Sequence, residues 1–124
     1  MKTKEEYLSR LEKFLKELNY KGWDGYGADP ISLISYQGAK EVIENCLEEI
    51  LGCFNLFPGV WGDISFELKD RLLGGILIGD DNFTWFAALD REGTVTNFIG
   101  ENEPFTPLRC IECLQEIVKF HNLI

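Results

Sequence analysis

The stretch Val60-Trp61-Gly62-Asp63-Ile64-Ser65-Phe66-Glu67-Leu68 breaks with the helical rhythm of the residues before it. Ile64, Phe66 and Leu68 alternate with Asp63, Ser65 and Glu67, so one set points toward a core and the other toward water, as on a half-buried strand. Further along the chain, Leu72 to Ile78, Phe83 to Leu89 and Thr94 to Ile99 read as three more strands, parted by the turn-rich pieces Lys69 to Arg71, Gly79 to Asn82 and Asp90 to Gly93. Connections of three or four residues admit only hairpins, because a parallel crossover takes about a dozen residues or more. The expected sheet is a four-stranded antiparallel meander. Its two middle strands carry no charged residue. Besides Leu72, Ile76, Ile78, Trp85 and Leu89 they set Leu73, Leu77 and Phe86 on the opposite side. Either the helices divide between the two faces, or the second face is a contact surface for another chain, a second copy included.

The flanks read as helices. Thr3 and Glu6 form a capping box, and Tyr7, Leu11, Phe14, Leu15 and Leu18 recur at helical spacing, which predicts a helix from Lys4 to Leu18. Three glycines and a proline between Tyr20 and Ile31 stop it. With Ser32 as cap, a second helix places Tyr36, Ala39, Ile43, Cys46, Leu47 and Ile50 on one face and ends at Gly52; its outer face carries Glu41, Glu44 and Glu48. Thr106 as cap and Pro107 in the first turn open a last helix that shares Cys110, Cys113, Leu114, Ile117, Val118 and His121 on one face. The predicted class is α+β in the order ααββββα, one domain over residues 1–124.

A chain of 124 residues, 45% hydrophobic and 27% charged, has room for its own core without metals or disulfide staples. Its net charge of −9 argues against nucleic acid as a direct partner, since affinity for a phosphate backbone comes from cations. Residues 1–22 sum to +2 and the remainder to −11. The acidity therefore sits on the second helix, the hairpin turns and Glu101 to Glu103. No apolar run reaches the roughly 20 residues needed to span a bilayer, and Met1 to Leu8 is charged rather than shaped as a signal peptide. The expected location is the cytoplasm, where thiols stay reduced. Cys46, Cys53, Cys110 and Cys113 allow two disulfides or a zinc site by count, but Cys110 and Cys113 fall on the apolar face of a helix and Cys46 and Cys53 lie in and after another, which favours free, buried thiols and no metal or other cofactor.

The segment Trp23-Asp24-Gly25-Tyr26-Gly27-Ala28-Asp29-Pro30-Ile31-Ser32 resembles a group of small bacterial and phage-encoded proteins marked by a WDGYGA-x-PIS signature. In that group the signature precedes a helix, a proline-containing loop and a strand of the form Gly-x-Ile-x-Leu-Glu, similar to Pro58 and Gly62 to Glu67 here. Leu68 stands where those proteins often carry Trp. The resemblance covers about half the chain in specific residues and implies an α+β fold and a mobile-element setting; it implies no catalytic residue.

Trp23 and Tyr26 are suited to anchoring their loop, with Gly25 and Gly27 supplying unusual backbone angles. The functional alternative makes Trp23, Asp24, Tyr26 and Asp29 a recognition surface, because rigid aromatics dominate interface hot spots. Together with Glu41, Glu44 and Glu48 they are the predicted partner-binding residues of a non-enzymatic, acidic interaction domain. An inhibitor or immunity-type binder of a basic protein partner fits such a chain. The enzymatic alternative is a small metal-dependent phosphoesterase or nuclease built on Asp63, Glu67 and Lys69, which resemble the acidic and Glu-x-Lys elements that hold Mg²⁺. Their place on one strand, where such enzymes use two, weakens it. His121, the sole histidine, has no partner nucleophile in the sequence, and no phosphate-cradling or nucleophile-elbow motif is present.

Overall fold

The computed structural model describes residues 3–123, all but Asn97 with their side chains. The chain runs α1 (Lys4–Glu17), α2 (Leu33–Asn45), α3 (Glu48–Leu51), β1 (Phe54–Pro58), β2 (Ile64–Leu68), β3 (Leu73–Ile78), β4 (Asn82–Arg91), β5 (Thr94–Pro104) and α4 (Pro107–Phe120). The α+β class and the antiparallel meander stand, but the sheet has five strands in the order β1-β2-β3-β4-β5, not four. The added strand is β1, a five-residue edge segment ending at Pro58. Proline is tolerated there because the strand stops at it. Two side chains of α1 hold this short strand. Tyr7 Oη lies 2.6 and 2.7 Å from the carbonyl oxygens of Leu51 and Phe54, which share its one proton, and Arg10 Nε donates to the carbonyl of Leu56 at 2.8 Å. The last strand extends to Pro104 rather than stopping at Ile99.

The single second helix expected from Ser32 to Gly52 is two. Cys46 and Leu47 take extended backbone angles, so α2 ends at Asn45 and a single turn, α3, follows. The break turns Leu47 out to solvent and lets Cys46, Ile50 and Leu51 all bury. Glu48 consequently belongs to α3 and not to the face shared by Glu41 and Glu44. The other caps form as their residues demand: Thr3 and Glu6 close a capping box on α1, Ser32 Oγ accepts from Ser35, and Thr106 Oγ1 accepts from Arg109.

All three longer helices lie on one face of the sheet, α1 over β1, α2 over β2 and β3, and α4 over β3 and β4. Leu56, Phe66, Ile76 and Trp85 form one cross-sheet row beneath them, and Ile64, Ile78 and Phe83 a second. Tyr7, Leu11, Ala39, Val42, Ile43, Cys110, Leu114 and Ile117 complete the core from the helix side. The helices do not divide between faces. On the opposite face Phe57, Leu77, Phe86 and Phe98 remain exposed. Among the described residues no helix is long and apolar enough to cross a membrane.

Candidate functional site

The loop from Trp23 to Ser32 is first a piece of internal engineering. Trp23 is half-buried against the core and donates Nε1 to the carbonyl of Asp29 at 2.7 Å. Asp24 Oδ1 accepts from the backbone N–H groups of Tyr26 and Ala28 at 2.8 and 3.0 Å, and these bonds, Ala28 first, hold its carboxyl below the usual range. Asp29 pairs with Lys21 at 2.7 Å. Of the four residues expected to form a recognition surface here, Tyr26 alone stands clear of the fold, 94% exposed.

The same loop carries the connection between β1 and β2. Asp29 N–H donates to Val60 O at 2.7 Å, and Ser32 N–H donates to Gly62 O at 2.9 Å. Gly62 adopts φ +82°, and a Cβ there would lie 2.5 Å from Pro30 O, so glycine is required on both counts. Ser32 Oγ and Ser35 Oγ, at the start of α2, both donate to Asp80 Oδ1 in the β3–β4 turn. The stretches Trp23 to Ser32 and Pro58 to Glu67 thus meet in space. One holds in place the Val60 to Asp63 loop of the other.

That loop forms one end of a trough on the uncovered sheet face. Two cross-sheet rows make its floor and sides, Glu67, Gly75 and Phe86 in one, Ser65, Leu77 and Thr84 in the other. Gly75 leaves a gap between Glu67 and Phe86, and it is obligatory, because a Cβ would approach Phe66 O to 2.4 Å. Trp61, 76% exposed, and Asp63 close the loop end, and Leu72 and Leu73 line the opposite end. The cavity measures about 550 Å³. Phe86 stacks on Phe98 at a centroid distance of 6.3 Å and 12° between planes, extending the apolar wall onto β5. Asp63 and Glu67 are the charged residues of the lining. Asp63 is 7% exposed with Oδ1 unpartnered, while Glu67 accepts from Ser65 Oγ at 2.8 Å, a bond that turns its carboxylate back along β2 toward Asp63. The expected wet face of β2 is therefore largely dry, since Asp63 and Ser65 are both buried.

Lys69 lies past the end of β2, its N–H donating to Cys53 O in the turn before β1. Four residues of extended chain separate Asp63 and Glu67 by about 13 Å between Cα atoms. Among the described residues, no group of three or more His, Cys, Asp or Glu side chains converges as metal ligands do. His121, at the end of α4, donates Nε2 to Leu73 O at 2.9 Å. The four cysteines are free thiols, with Cys46, Cys110 and Cys113 buried and Cys53 half-buried. Burial pushes Cys46 up to about 11 and Cys110 and Cys113 up to about 12.

Glu41, Glu44 and Glu48 are exposed, but the start of α1 approaches them: Lys4 Nζ donates to Glu44 O at 2.9 Å, and Lys4 N–H to Glu48 Oε1 at 3.4 Å. In the acidic stretch before α4, Glu103 accepts two bonds from Arg109, at 2.8 and 3.1 Å, and one from Trp85 Nε1 at 2.7 Å. These hold its carboxyl below the usual range, Arg109 contributing most. The trough is what sequence reasoning missed. Its signals were the paired glycines Gly74-Gly75 and the uncharged outward residues Leu73, Leu77 and Phe86, but which strand rows adjoin depends on register. No protein-family model matches the chain, and no curated protein or solved structure matches it.

Proposed function

We propose that this chain is a non-catalytic interaction domain that engages a basic protein partner, as an inhibitor or immunity-type binder does. One observation carries the reading. A whole sheet face is left without helix cover, with Trp61, Phe57, Leu77, Phe86 and Phe98 exposed around two carboxylates, on a chain of net charge −9. Clustered exposed aromatics mark contact surfaces, and the charge favours a basic partner. Self-association is disfavoured by the same charge, since two copies of a chain of net charge −9 repel one another. Glu41, Glu44, Glu48 and Tyr26 then add long-range attraction and a peripheral contact. The engaged state of Trp23, Asp24 and Asp29 supports a scaffolding part for them.

The test compares capture by the tagged wild type with capture by a Trp61→Ala/Phe98→Ala variant from the native cell, followed by titration of the purified retained protein. The expected result is a basic protein retained by the wild type, bound at least tenfold more weakly by the variant, with affinity falling as salt rises. Equal retention by both forms, or an isolated partner whose affinity ignores salt, overturns the reading. A light-scattering mass of twice the chain at high concentration replaces it with a homodimer.

A further inference from the structure

We infer that the trough on the uncovered sheet face is a receptor for a basic side chain of the partner, the apolar stem lying over Gly75 between Leu77 and Phe86 and the charged head between Asp63 and Glu67. The inference rests on the interaction reading and names the group that the surface takes. The lining has one chemical bias: apolar walls from Leu72, Leu73, Leu77, Phe86 and Trp61, with charge of a single sign. An arginine or lysine is itself built that way, with a methylene stem and a cationic head. The missing side chain at Gly75 provides the width for the stem, and the neighbouring backbone forbids any larger residue there.

The head group has two carboxylates to meet. Glu67 is directed along the trough by Ser65 Oγ. Asp63 is more than nine-tenths buried and has an oxygen with no hydrogen-bond partner. A buried carboxylate oxygen without a donor is uncommon; this one lies against Gly59, where a Cβ would sit 1.8 Å from it, so it meets an N–H from outside only after the carboxylate turns. The terminal torsion of an aspartate is broad and two-fold, so either oxygen can turn to an arriving N–H. Trp61, above the same end, offers an exposed ring face to a guanidinium. The Asp29–Val60 and Ser32–Gly62 backbone bonds keep that end rigid, so little ordering is needed on binding.

The experiment titrates the ¹⁵N-labelled chain with a blocked pentapeptide of alternating leucine and arginine, and with the same peptide carrying citrulline for arginine. The arginine peptide is expected to move the amide resonances of Gly75, Leu77 and Glu67 and the indole resonance of Trp61. The citrulline peptide should bind at least tenfold more weakly, because it keeps the shape and loses the charge. Glu67→Gln and Trp61→Ala, both at exposed positions, should each weaken the arginine peptide, the former about tenfold. Absence of shifts, shifts centred on Glu41, Glu44 and Glu48, or equal binding of the two peptides overturns the inference. If any of these occurs while the variant-sensitive capture of a basic partner persists, the trough is excluded and the interaction reading stands.

Discussion

Trp23 donates its indole N–H to the backbone carbonyl of Asp29 at 2.7 Å, closing a seven-residue span on itself. The residue after that carbonyl's neighbour, Ile31, is buried, and Asp29 N–H in turn reaches Val60. An aromatic that looks like a binding residue in the sequence is thus a strut that ties its own loop to the core and, through Asp29, to the lip of the trough.

Replacing Trp23 by Ala therefore removes both a half-buried ring and this bond. The expected loss of stability is about 2–3 kcal/mol, less than for a fully buried tryptophan. Tyr26→Ala, at a position outside the fold, should change stability by less than about 0.5 kcal/mol. Urea unfolding of the two variants checks the contrast.

The carboxyl of Asp24 is held below its ordinary value of 3.8 by N–H groups that exist only in the folded loop. A carboxylate with a depressed folded pKa contributes stability that is fully present above the unfolded value and is lost as pH falls through the folded one. Wild type is expected to exceed Asp24→Asn in urea midpoint at neutral pH, and the gap should close as pH drops below 3.8. A gap independent of pH would contradict this.

Tyr7 Oη bonds two buried carbonyls, one on each side of the α3–β1 connection. Burial pushes the phenol up to about 12, so it is a neutral donor under all ordinary conditions. Tyr7→Phe keeps the ring and strands those carbonyls, with an expected loss of about 1–3 kcal/mol. Hydrogen exchange should speed up first at β1, the strand that depends on α1 for its edge.

The thiols should separate by burial. Cys46, Cys110 and Cys113, raised by burial, have almost no thiolate at neutral pH. Burial raises the Cys53 thiol as well, but this residue is only half-buried and in part open to solvent. Iodoacetamide treatment of the native chain, followed by mass mapping, is expected to label Cys53 first. The other three should react only on unfolding.

The local rules account for much of this molecule. Alternation at Ile64, Phe66 and Leu68, short polar connections and the capping residues Thr3, Ser32 and Thr106 determined an antiparallel meander with helices before and after it, because backbone geometry and one-sided burial act over a few residues. The helix break at Cys46 and the strand Phe54–Pro58 were hidden, since the first needs Leu47 to turn outward so that its neighbours can bury, and the second is held by Tyr7 and Arg10 from far away in the chain. Only tertiary structure decided that all helices take one face, that Gly75 lies between Glu67 and Phe86, and that the Trp23 to Ser32 loop carries the Val60 to Asp63 loop. Each of these is a contact between residues distant in sequence, and periodicity within one segment holds no information about which segment will lie beside it.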